Sequence, residues 1–373
     1  MESSTTALES VRDSECVCIL GLPIDVMDVQ QAVARVLDAV RTRQKCFIST
    51  PNLNFLINAR KDASFRDSVL RSDLSLADGV SLLALARLMG MRLPERVSGA
   101  DLFATLCNTP RSQPVRIFFL GGPPGAAAKA HDNINKAAKG AVCVGYDEAG
   151  FGDIESMSNQ ALIDKINLCA PDFVVVSLGA AKGQAWIMRN RHRLEAPVIS
   201  HLGAVVNFTA GTIRRAPRWI QRLSLEWLWR AVTESGLARR YWDDGRAFLR
   251  LLTVKWLEGA FAPPVAPAHA GTIEVTARNG HTPADVEIKV SGRWHRSDQA
   301  MLEARLQGLI GPDVKQARID ATDLAGLDAY TIGSLARLHG QLLNAGGEGL
   351  SITCATPELA RLLTRHDAGY LLG

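Results

Sequence analysis

The amino-acid sequence predicts an α/β fold, in which helices cover a parallel β-sheet and are followed by a basic helical appendage and a small second α/β domain. Short apolar runs alternate with segments of helical periodicity through the first 212 of 373 residues, a pattern typical of parallel sheets whose strands are joined by helices. The chain is longer than one hydrophobic core usually serves, so we expect two domains. Its 47% hydrophobic and 21% charged residues indicate an ordinary folded globular protein.

The apolar runs of the first domain set its predicted elements. The strands are expected at residues 17–20, 46–49, 74–77, 116–120, 141–144, 173–177 and 198–202, and the helices at residues 29–40, 53–60, 125–138, 159–168 and 184–191. Ligands of open α/β sheets bind beyond the carboxyl ends of the strands. Polar residues and glycines occur at or just after the ends of these predicted strands, so we expect the functional groups to cluster at that rim.

A stretch without charge, residues 259–270, is rich in proline and alanine and is interpreted as a linker between the two domains. Before it we expect a disordered N-terminus (1–15), the α/β core (16–212) and the helical appendage (213–258). After it comes the small domain (271–373). Its strands are predicted at residues 272–276, 285–290, 316–320 and 350–354, and its helices at residues 297–309, 329–344 and 357–365.

The net charge of +4 is unevenly distributed. Residues 214–255 contain ten basic and four acidic residues, and five of the seven tryptophans lie between positions 214 and 258. Two interpretations of this strip remain open: an interfacial helix lying on an anionic membrane surface, or a solvated basic helix over a tryptophan-filled core. Because the strip is short and the rest of the domain is charge-balanced, we expect no nucleic-acid partner.

We expect a cytoplasmic protein whose contact with the inner face of the cell membrane is peripheral. Residues 1–15 are polar and do not resemble a secretory signal, and no apolar run reaches the length of a spanning helix. The seven cysteines lack paired spacing and are expected to be reduced core residues. Because the histidines are scattered singly, we predict no metal site, and we predict no cofactor.

Three residues that follow predicted strands carry candidate chemistry. Asp78 comes directly after an apolar run and before Gly79, where a carboxylate could act as a general base. The spacing alone favours a different role for Asp78, the N-cap of the next helix. Thr50 and Asn52 would offer a hydroxyl and an amide to a sugar or phosphate, and Asn52 is equally well placed to cap a helix.

Two glycine-containing loops are candidates for binding the donor. The segment with Gly121, Gly122 and Gly125 follows a strong strand and could bring backbone N–H groups and a helix N-terminus to a phosphate, although a plain turn explains it as well. Lys182 and Gln184 follow Gly179, before a helix that Trp186 is expected to open. A loop that binds a base or ribose and a solvated helix start both fit them.

Together these segments resemble the WecG/TagA/CpsF family of bacterial glycosyltransferases across residues 15–258. The resemblance rests on an ordered series of motifs: Thr50-x-Asn52, Ala77-Asp78-Gly79, Arg96-x-x-Gly99-x-Asp101, Phe119-Leu-Gly-Gly122-x-x-Gly125, Leu178-Gly-Ala-x-Lys182, Ala210-Gly211 with Arg215-Ala-Pro217, and Leu225-Glu-Trp227-x-x-Arg230.

The resemblance implies a Rossmann-like core and an inverting, metal-independent transfer from a UDP-sugar, commonly of the N-acetylmannosamine type. The acceptor would be a sugar linked to undecaprenyl pyrophosphate. Asp78 becomes the general base, and Thr50 and Asn52 position substrate. The implied substrate-binding residues also include Arg96, Asp101, Lys182, Gln184, Arg230 and Arg240, and the implied donor phosphate loop consists of Gly121, Gly122, Gly125 and Gly179.

The chain departs from the family pattern in ways that bear on donor identity. A Pro-Lys-Gln-Glu run reads Ala181-Lys182-Gly183-Gln184, so glycine replaces the family glutamine. A Phe-Asp-Phe run reads Val206-Asn207-Phe208. The segment 235–237 before Arg239 lacks an expected arginine.

The second domain resembles a STAS domain, the fold of anti-sigma factor antagonists, in the series Arg318-Ile-Asp320-Ala-Thr-x-Leu324-x-x-Leu327-Asp328-Ala-Tyr-x-Ile-Gly333. Ala329 and Tyr330 stand where antagonists carry a phosphorylatable serine, with Thr331 nearby. A docking or scaffolding role is therefore expected. The alternative to an enzyme recruited by this domain is a regulatory protein that senses a nucleotide sugar and signals through the STAS-like domain.

Overall fold

The computed structural model describes residues 15–148, 152–213, 216–217, 220, 228–229, 237–257, 275–279, 285–310 and 314–373. The strands of the first domain are β1 (Cys16–Ile19), β2 (Leu22–Asp25), β3 (Cys46–Ser49), β4 (Leu74–Ser75), β5 (Val115–Gly121), β6 (Ala141–Asp147), β7 (Phe173–Ser177) and β8 (Val198–His201). Its helices are α1 (Val29–Thr42), α2 (Leu53–Lys61), α3 (Ala63–Leu70), α4 (Val80–Leu88), α5 (Gly99–Asn108), α6 (Ala126–Ala137), α7 (Gln160–Leu168), α8 (Ala180–Asn190), α9 (Val205–Ala210) and α10 (Leu237–Leu257).

The core is a six-stranded sheet in the order β4-β3-β8-β7-β5-β6. Every neighbouring pair is parallel, which confirms the predicted fold class. The central strand β7 is buried along its whole length, as expected when helices cover both faces of a parallel sheet. Because all strands run the same way, their carboxyl ends meet along one rim.

The first predicted strand does not belong to this sheet, contrary to expectation. β1 pairs with β2, a strand that the sequence pattern did not predict, in a separate antiparallel hairpin. Leu20 and Gly21 form the turn with φ of 49° and 80°, the positive values that two-residue hairpin turns require. The polar alternation that usually marks a hairpin is missing because both of its strands are buried.

Helix α8 begins earlier than the sequence pattern predicts. It starts at Ala180, so Lys182 and Gln184 lie inside its first turns, and Trp186 is a fully buried residue of its middle. The prediction that Trp186 opens this helix is therefore wrong. The helices α3, α5 and α9 were not predicted from the sequence.

Of the predicted appendage, residues 213–258, the structure describes mainly α10. This helix packs through Leu251 against the cluster that includes Phe55 of α2, while Trp242 (68% exposed) and Leu249 (63%) face outward. Within the described part of the chain, no helix is both long and apolar enough to cross a membrane. The predicted linker, residues 259–270, lies outside the described residues.

A second, small α/β domain is present, as predicted. Its elements are β9 (Val275–Asn279), β10 (Asp285–Trp294), α11 (Gln299–Leu309), β11 (Gln316–Leu327), α12 (Ala329–Asn344), β12 (Gly349–Thr353) and α13 (Pro357–Arg365). The sheet order is β12-β11-β10-β9, with only β9 antiparallel to its neighbour. The predicted bounds of α12 and α13 match the structure.

Candidate active site

The rim at the carboxyl ends of the parallel strands brings together most of the residues singled out in the sequence. Thr50 follows β3, Asp78 lies three residues beyond β4, Gly122 follows β5 and Gly179 lies two residues beyond β7. The order of strands places β3 between β4 and β8. Thr50 and Asp78 therefore lie at one end of the rim, and the glycine loops lie towards the other.

Asp78 is half-buried, and its backbone is held in place by the neighbouring strand connection. Its N–H donates to the carbonyl of Pro51 over 2.8 Å. The N-cap of α4 is Gly79, with φ 127° and ψ 142°, a conformation that glycine adopts far more readily than other residues. The interpretation of Asp78 as the helix N-cap is therefore wrong. Its carboxylate stands just outside the helix, at the rim.

Asn52 caps α2, which confirms the structural role left open for it. Its Oδ1 accepts a hydrogen bond from the N–H of Phe55 at 3.2 Å, while its Nδ2 makes no hydrogen bond to any described residue. A Cβ on Gly79 would lie 3.7 Å from Cβ of Asn52. Asn52 thus adjoins the Asp78–Gly79 turn, with its amide donor available to a ligand.

Thr50 lies beside the start of α5. Its side chain is buried, and its methyl group is 3.4 Å from where a Cβ on Gly99 would stand. Glycine is favoured at position 99 because a Cβ there would overlap Cδ2 of Leu202. The Thr50 hydroxyl forms no hydrogen bond with the described residues, so it remains a donor and acceptor near Asp78.

Arg96 and Asp101 form an ion pair with each other, 2.9 Å between Nη2 and Oδ2. Ser98 donates to the same carboxylate oxygen at 2.6 Å and caps α5. Val97 N–H donates to the carbonyl of Ala77 at 2.9 Å. The pair therefore braces the loop that adjoins the Asp78 segment.

The loop after β5 is shaped by three glycines with positive φ: Gly121 (86°), Gly122 (98°) and Gly125 (75°). A Cβ on Gly121 would lie 2.7 Å from the Leu178 side chain, and one on Gly122 would lie 2.8 Å from Val206. Gly125 is the N-cap of α6 and has no side chain to satisfy the first N–H groups of that helix. Such an end attracts anions.

Gly179 and Lys182 begin α8 on the far side of the rim. Gly179 is its N-cap and is exposed, and a Cβ there would meet no described atom within 4 Å. The Lys182 ammonium donates to the carbonyl of Gly152. Lys182 is therefore tied to the neighbouring loop.

Gln184 does not reach the rim surface, which corrects its predicted position. It is 1% exposed, and its Nε2 donates to Oγ of Ser49, the last residue of β3, at 3.0 Å. Its Oε1 has no partner among the described residues. Through this hydrogen bond Gln184 stabilises the end of β3, directly before Thr50.

His201, at the end of β8, was missed. Its Nε2 donates to the Leu178 carbonyl at 2.5 Å, since a carbonyl can only accept, and this leaves Nδ1 as a buried acceptor without a described partner. Burial lowers the pKa of His201, and the bond to Leu178 offsets this only in part. The signal that the sequence offered for His201 was its position as a polar residue near the end of an apolar run.

Comparison with known proteins decides the family. The model of the glycosyl transferase WecG/TagA/CpsF family matches residues 17–261. The chain belongs to this family. It is accordingly a glycosyltransferase.

Three similar curated proteins each carry the name N-acetylglucosaminyldiphosphoundecaprenol N-acetyl-beta-D-mannosaminyltransferase. The protein from Bacillus subtilis is 30% identical over 226 residues, 61% of this chain and 86% of its own length. The one from Bacillus spizizenii is 28% identical over 194 residues, 52% of this chain and 74% of its own. A Staphylococcus aureus protein is 24% identical over 222 residues, with shares of 58% and 84%.

The structure gives a physical account of one departure from the WecG/TagA/CpsF pattern. A Cβ on Gly183 would overlap Cδ2 of His201. The imidazole ring thus takes the space that a side chain at position 183 would need. With the imidazole in this position, histidine at 201 requires glycine at 183.

The two appendage arginines predicted to bind diphosphate cannot be placed at the site. Arg230 lies outside the described residues, and Arg240 belongs to α10 although its side chain is not described. Their roles stay predictions.

Proposed function

We propose that this WecG/TagA/CpsF glycosyltransferase transfers a sugar, with inversion, from a UDP-sugar to an undecaprenyl-pyrophosphate-linked acceptor in bacterial exopolysaccharide or cell-surface glycan biosynthesis. The position of Asp78 carries the proposal. Its carboxylate is at the rim, outside the helix cap, with its backbone fixed by Pro51 and with Asn52 alongside. A held, partly exposed carboxylate is suited to act as a general base.

In the proposed reaction the Asp78 carboxylate removes the proton from the acceptor hydroxyl as that oxygen attacks the anomeric carbon. A new carbon–oxygen bond forms on one face of the sugar while the bond to the UDP phosphate breaks on the other, so the anomeric configuration inverts. The Thr50 hydroxyl and Asn52 Nδ2 orient the sugars. The proton stays on Asp78 until solvent takes it.

The leaving UDP gains negative charge, which the uncapped start of α6 at Gly125 is suited to stabilise. Arg230 and Arg240 are proposed to add positive charge there. Relatives are named for transfer of N-acetylmannosamine to a diphosphoundecaprenol-linked N-acetylglucosamine, so we propose the corresponding UDP-sugar and lipid as the first pair to test.

We propose that α10 brings the enzyme to the anionic membrane surface where a lipid-linked acceptor resides. The exposed face of this helix combines Trp242 and Leu249 with Arg246 and Arg250, the apolar and cationic mixture of an interfacial helix. The helix also packs on α2, which begins beside Asn52. The packing of α10 on α2 thereby connects the proposed membrane-binding helix to the rim at Asn52.

The identification of the second domain as STAS-like, and a protein partner for it, stay proposals. Thr331, the aliphatic hydroxyl next to the expected phosphorylation position, is fully buried and donates a hydrogen bond to the carbonyl of Asp328. This burial argues against a phosphorylation switch at Thr331.

The decisive experiment measures UDP release from UDP-sugars in the presence of a synthetic lipid-pyrophosphate acceptor. We expect Asp78→Asn to lower kcat by about 100-fold or more, within the range of general-base loss. Asp164→Asn, an exposed carboxylate on α7, is the matched control and should retain full activity. If the wild type releases no UDP above the Asp78→Asn background with any donor, the proposed reaction is wrong.

The alternative, a nucleotide-sugar sensor without turnover, makes a different prediction in the same assay. A sensor would bind the UDP-sugar with the same affinity in the wild type and in Asp78→Asn, and neither protein would release UDP. Calorimetric titration beside the turnover assay separates the two functions.

A further inference from the structure

We propose that the second domain is a built-in positioning element of the active site, in which Arg337 acts through Asp25 on the strand that presents Asp78. The inference rests on the proposed role of Asp78 as general base. It begins with the location of α12, the long helix of the second domain.

Helix α12 packs directly on the β1–β2 hairpin of the first domain. Gly333 meets the hairpin so closely that a Cβ there would lie 2.8 Å from the carbonyl carbon of Val17. Ala329 and Tyr330 are buried in one apolar cluster with Ile19 and Ile24. The face of α12 that could receive a partner protein is therefore occupied by the chain's own first domain.

A charged group crosses this interface. Nη2 of Arg337 lies 2.7 Å from Oδ1 of Asp25, and both side chains are largely buried, at 16% and 6% exposed. Glu303 lies 3.8 Å from the same guanidinium. Taking two carboxylates and a guanidinium out of water is costly unless they stay together, so Arg337 restrains the position of Asp25.

Asp25 in turn holds the strand that leads to the proposed base. Its second oxygen, Oδ2, accepts a hydrogen bond from the backbone N–H of Ser75 at 2.7 Å. Ser75 ends β4, three residues before Asp78, and β4 has only two residues. So short an edge strand has few ladder bonds of its own, and the Asp25 carboxylate supplies an anchor that the sheet does not.

The second domain also touches the chain on the other side of Asp78. The N–H of Arg92 donates to the Tyr330 hydroxyl at 3.4 Å, and the same loop continues to Val97, which bonds to the carbonyl of Ala77. Contacts from α12 thus reach the Asp78 segment by two routes. Undocking the domain would release both.

The test uses the full chain and two readouts, amide hydrogen exchange and turnover. We expect Arg337→Met to accelerate exchange across residues 74–79 and to lower kcat by about 10- to 100-fold, because small displacements of a reacting group are costly. KM should change less than twofold, since Arg337 touches no substrate. Arg337→Lys keeps the positive charge but cannot face Asp25 and Glu303 with two separate nitrogens. It should recover part of the exchange protection and part of the kcat that Arg337→Met loses.

Arg60→Met is the matched control. Arg60 forms a different ion pair between the domains, 3.0 Å from Asp367, at the end of the interface away from β4. We expect it to leave the exchange of residues 74–79 and kcat unchanged. If Arg60→Met reproduces the losses of Arg337→Met, docking in general matters and the Arg337–Asp25 route is wrong.

The inference is overturned if Arg337→Met is folded, as shown by a cooperative thermal transition, and yet has the amide exchange rates and the kcat of the wild type. If Arg337→Met fails to fold, Arg337→Lys carries the same test with smaller changes. A wild type without turnover would refute the proposed function alone, because hydrogen exchange still reports on the route to Ser75.

Discussion

The imidazole of His201 lies where a side chain at Gly183 would have to stand. Gly183→Gln, which restores the family residue, should therefore lower the free energy of unfolding by about 1–3 kcal/mol through overpacking. Adding His201→Ser should recover most of that loss. Urea unfolding of the two single variants and the double variant measures the coupling, which we expect to exceed about 1 kcal/mol.

Gly308→Gln provides the control for this cycle, because a Cβ on Gly308 would meet no described atom within 4 Å. It should not destabilise the protein, because replacing a glycine inside a helix is usually stabilising by up to about 1 kcal/mol, and it should show no coupling to His201→Ser. Additive effects of Gly183→Gln and His201→Ser would contradict the shared-space explanation.

The buried His201 also predicts a pH dependence of stability. Burial holds its pKa below the usual 6.5, so the unfolded chain takes up a proton more readily than the folded protein. Stability should then fall as the pH is lowered through 6.5, by up to about 1.4 kcal/mol per pH unit for this residue. His339 has a pKa lowered chiefly by burial and adds to the same trend.

The measurement is urea unfolding at pH 7.5 and pH 5.5 for the wild type and His201→Gln. The glutamine keeps a donor for the Leu178 carbonyl but does not titrate, so the variant should lose less stability on acidification. Equal losses in both proteins would show that His201 is not the responsible group.

Because α12 packs closely on the first domain, replacing a glycine of this helix by alanine should destabilise the protein. A Cβ on Gly340 would overlap the carbonyl oxygen of Leu70 at the end of α3, so Gly340→Ala should destabilise the protein by about 1–3 kcal/mol. Gly245→Ala in α10 meets no described atom within 4 Å and should stabilise it by about 0.5–1 kcal/mol, as is usual inside a helix. Thermal unfolding compares the two. A stabilising Gly340→Ala would argue against this interface.

The exposed face of α10 predicts selective binding to anionic vesicles. Trp242→Ala with Leu249→Ala should weaken sedimentation with such vesicles at least about tenfold, since each apolar side chain contributes about 1.5–3 kcal/mol when fully buried. Arg246→Ala with Arg250→Ala should weaken it by about 1 kcal/mol per charge. Leu168→Ala, which removes an equally apolar residue that is 88% exposed on α7, should have no effect. If all variants sediment with anionic vesicles like the wild type, α10 is a solvated helix and the proposed membrane contact is wrong.

Local pattern was enough for much of the fold. The bounds of β3, β7, α12 and α13 follow from apolar periodicity. The structure adds that Asp328 caps α12 and Thr356 caps α13. The same reasoning located the rim, because parallel strands must end on one edge. It could not distinguish Asp78 from a helix cap, since an acidic residue before a helix satisfies both patterns.

The sequence by itself determined the α/β class, the order of the rim residues and, through the ordered motifs, the family. Only the tertiary structure decided that Gln184 is buried under Ser49, that His201 excludes a side chain at Gly183, and that Arg337 reaches Asp25 across 312 positions of chain. Such contacts join residues distant in sequence, and their partners are selected by packing and by the cost of leaving buried charge unpaired. Periodicity records which face of an element is buried, but not what covers it.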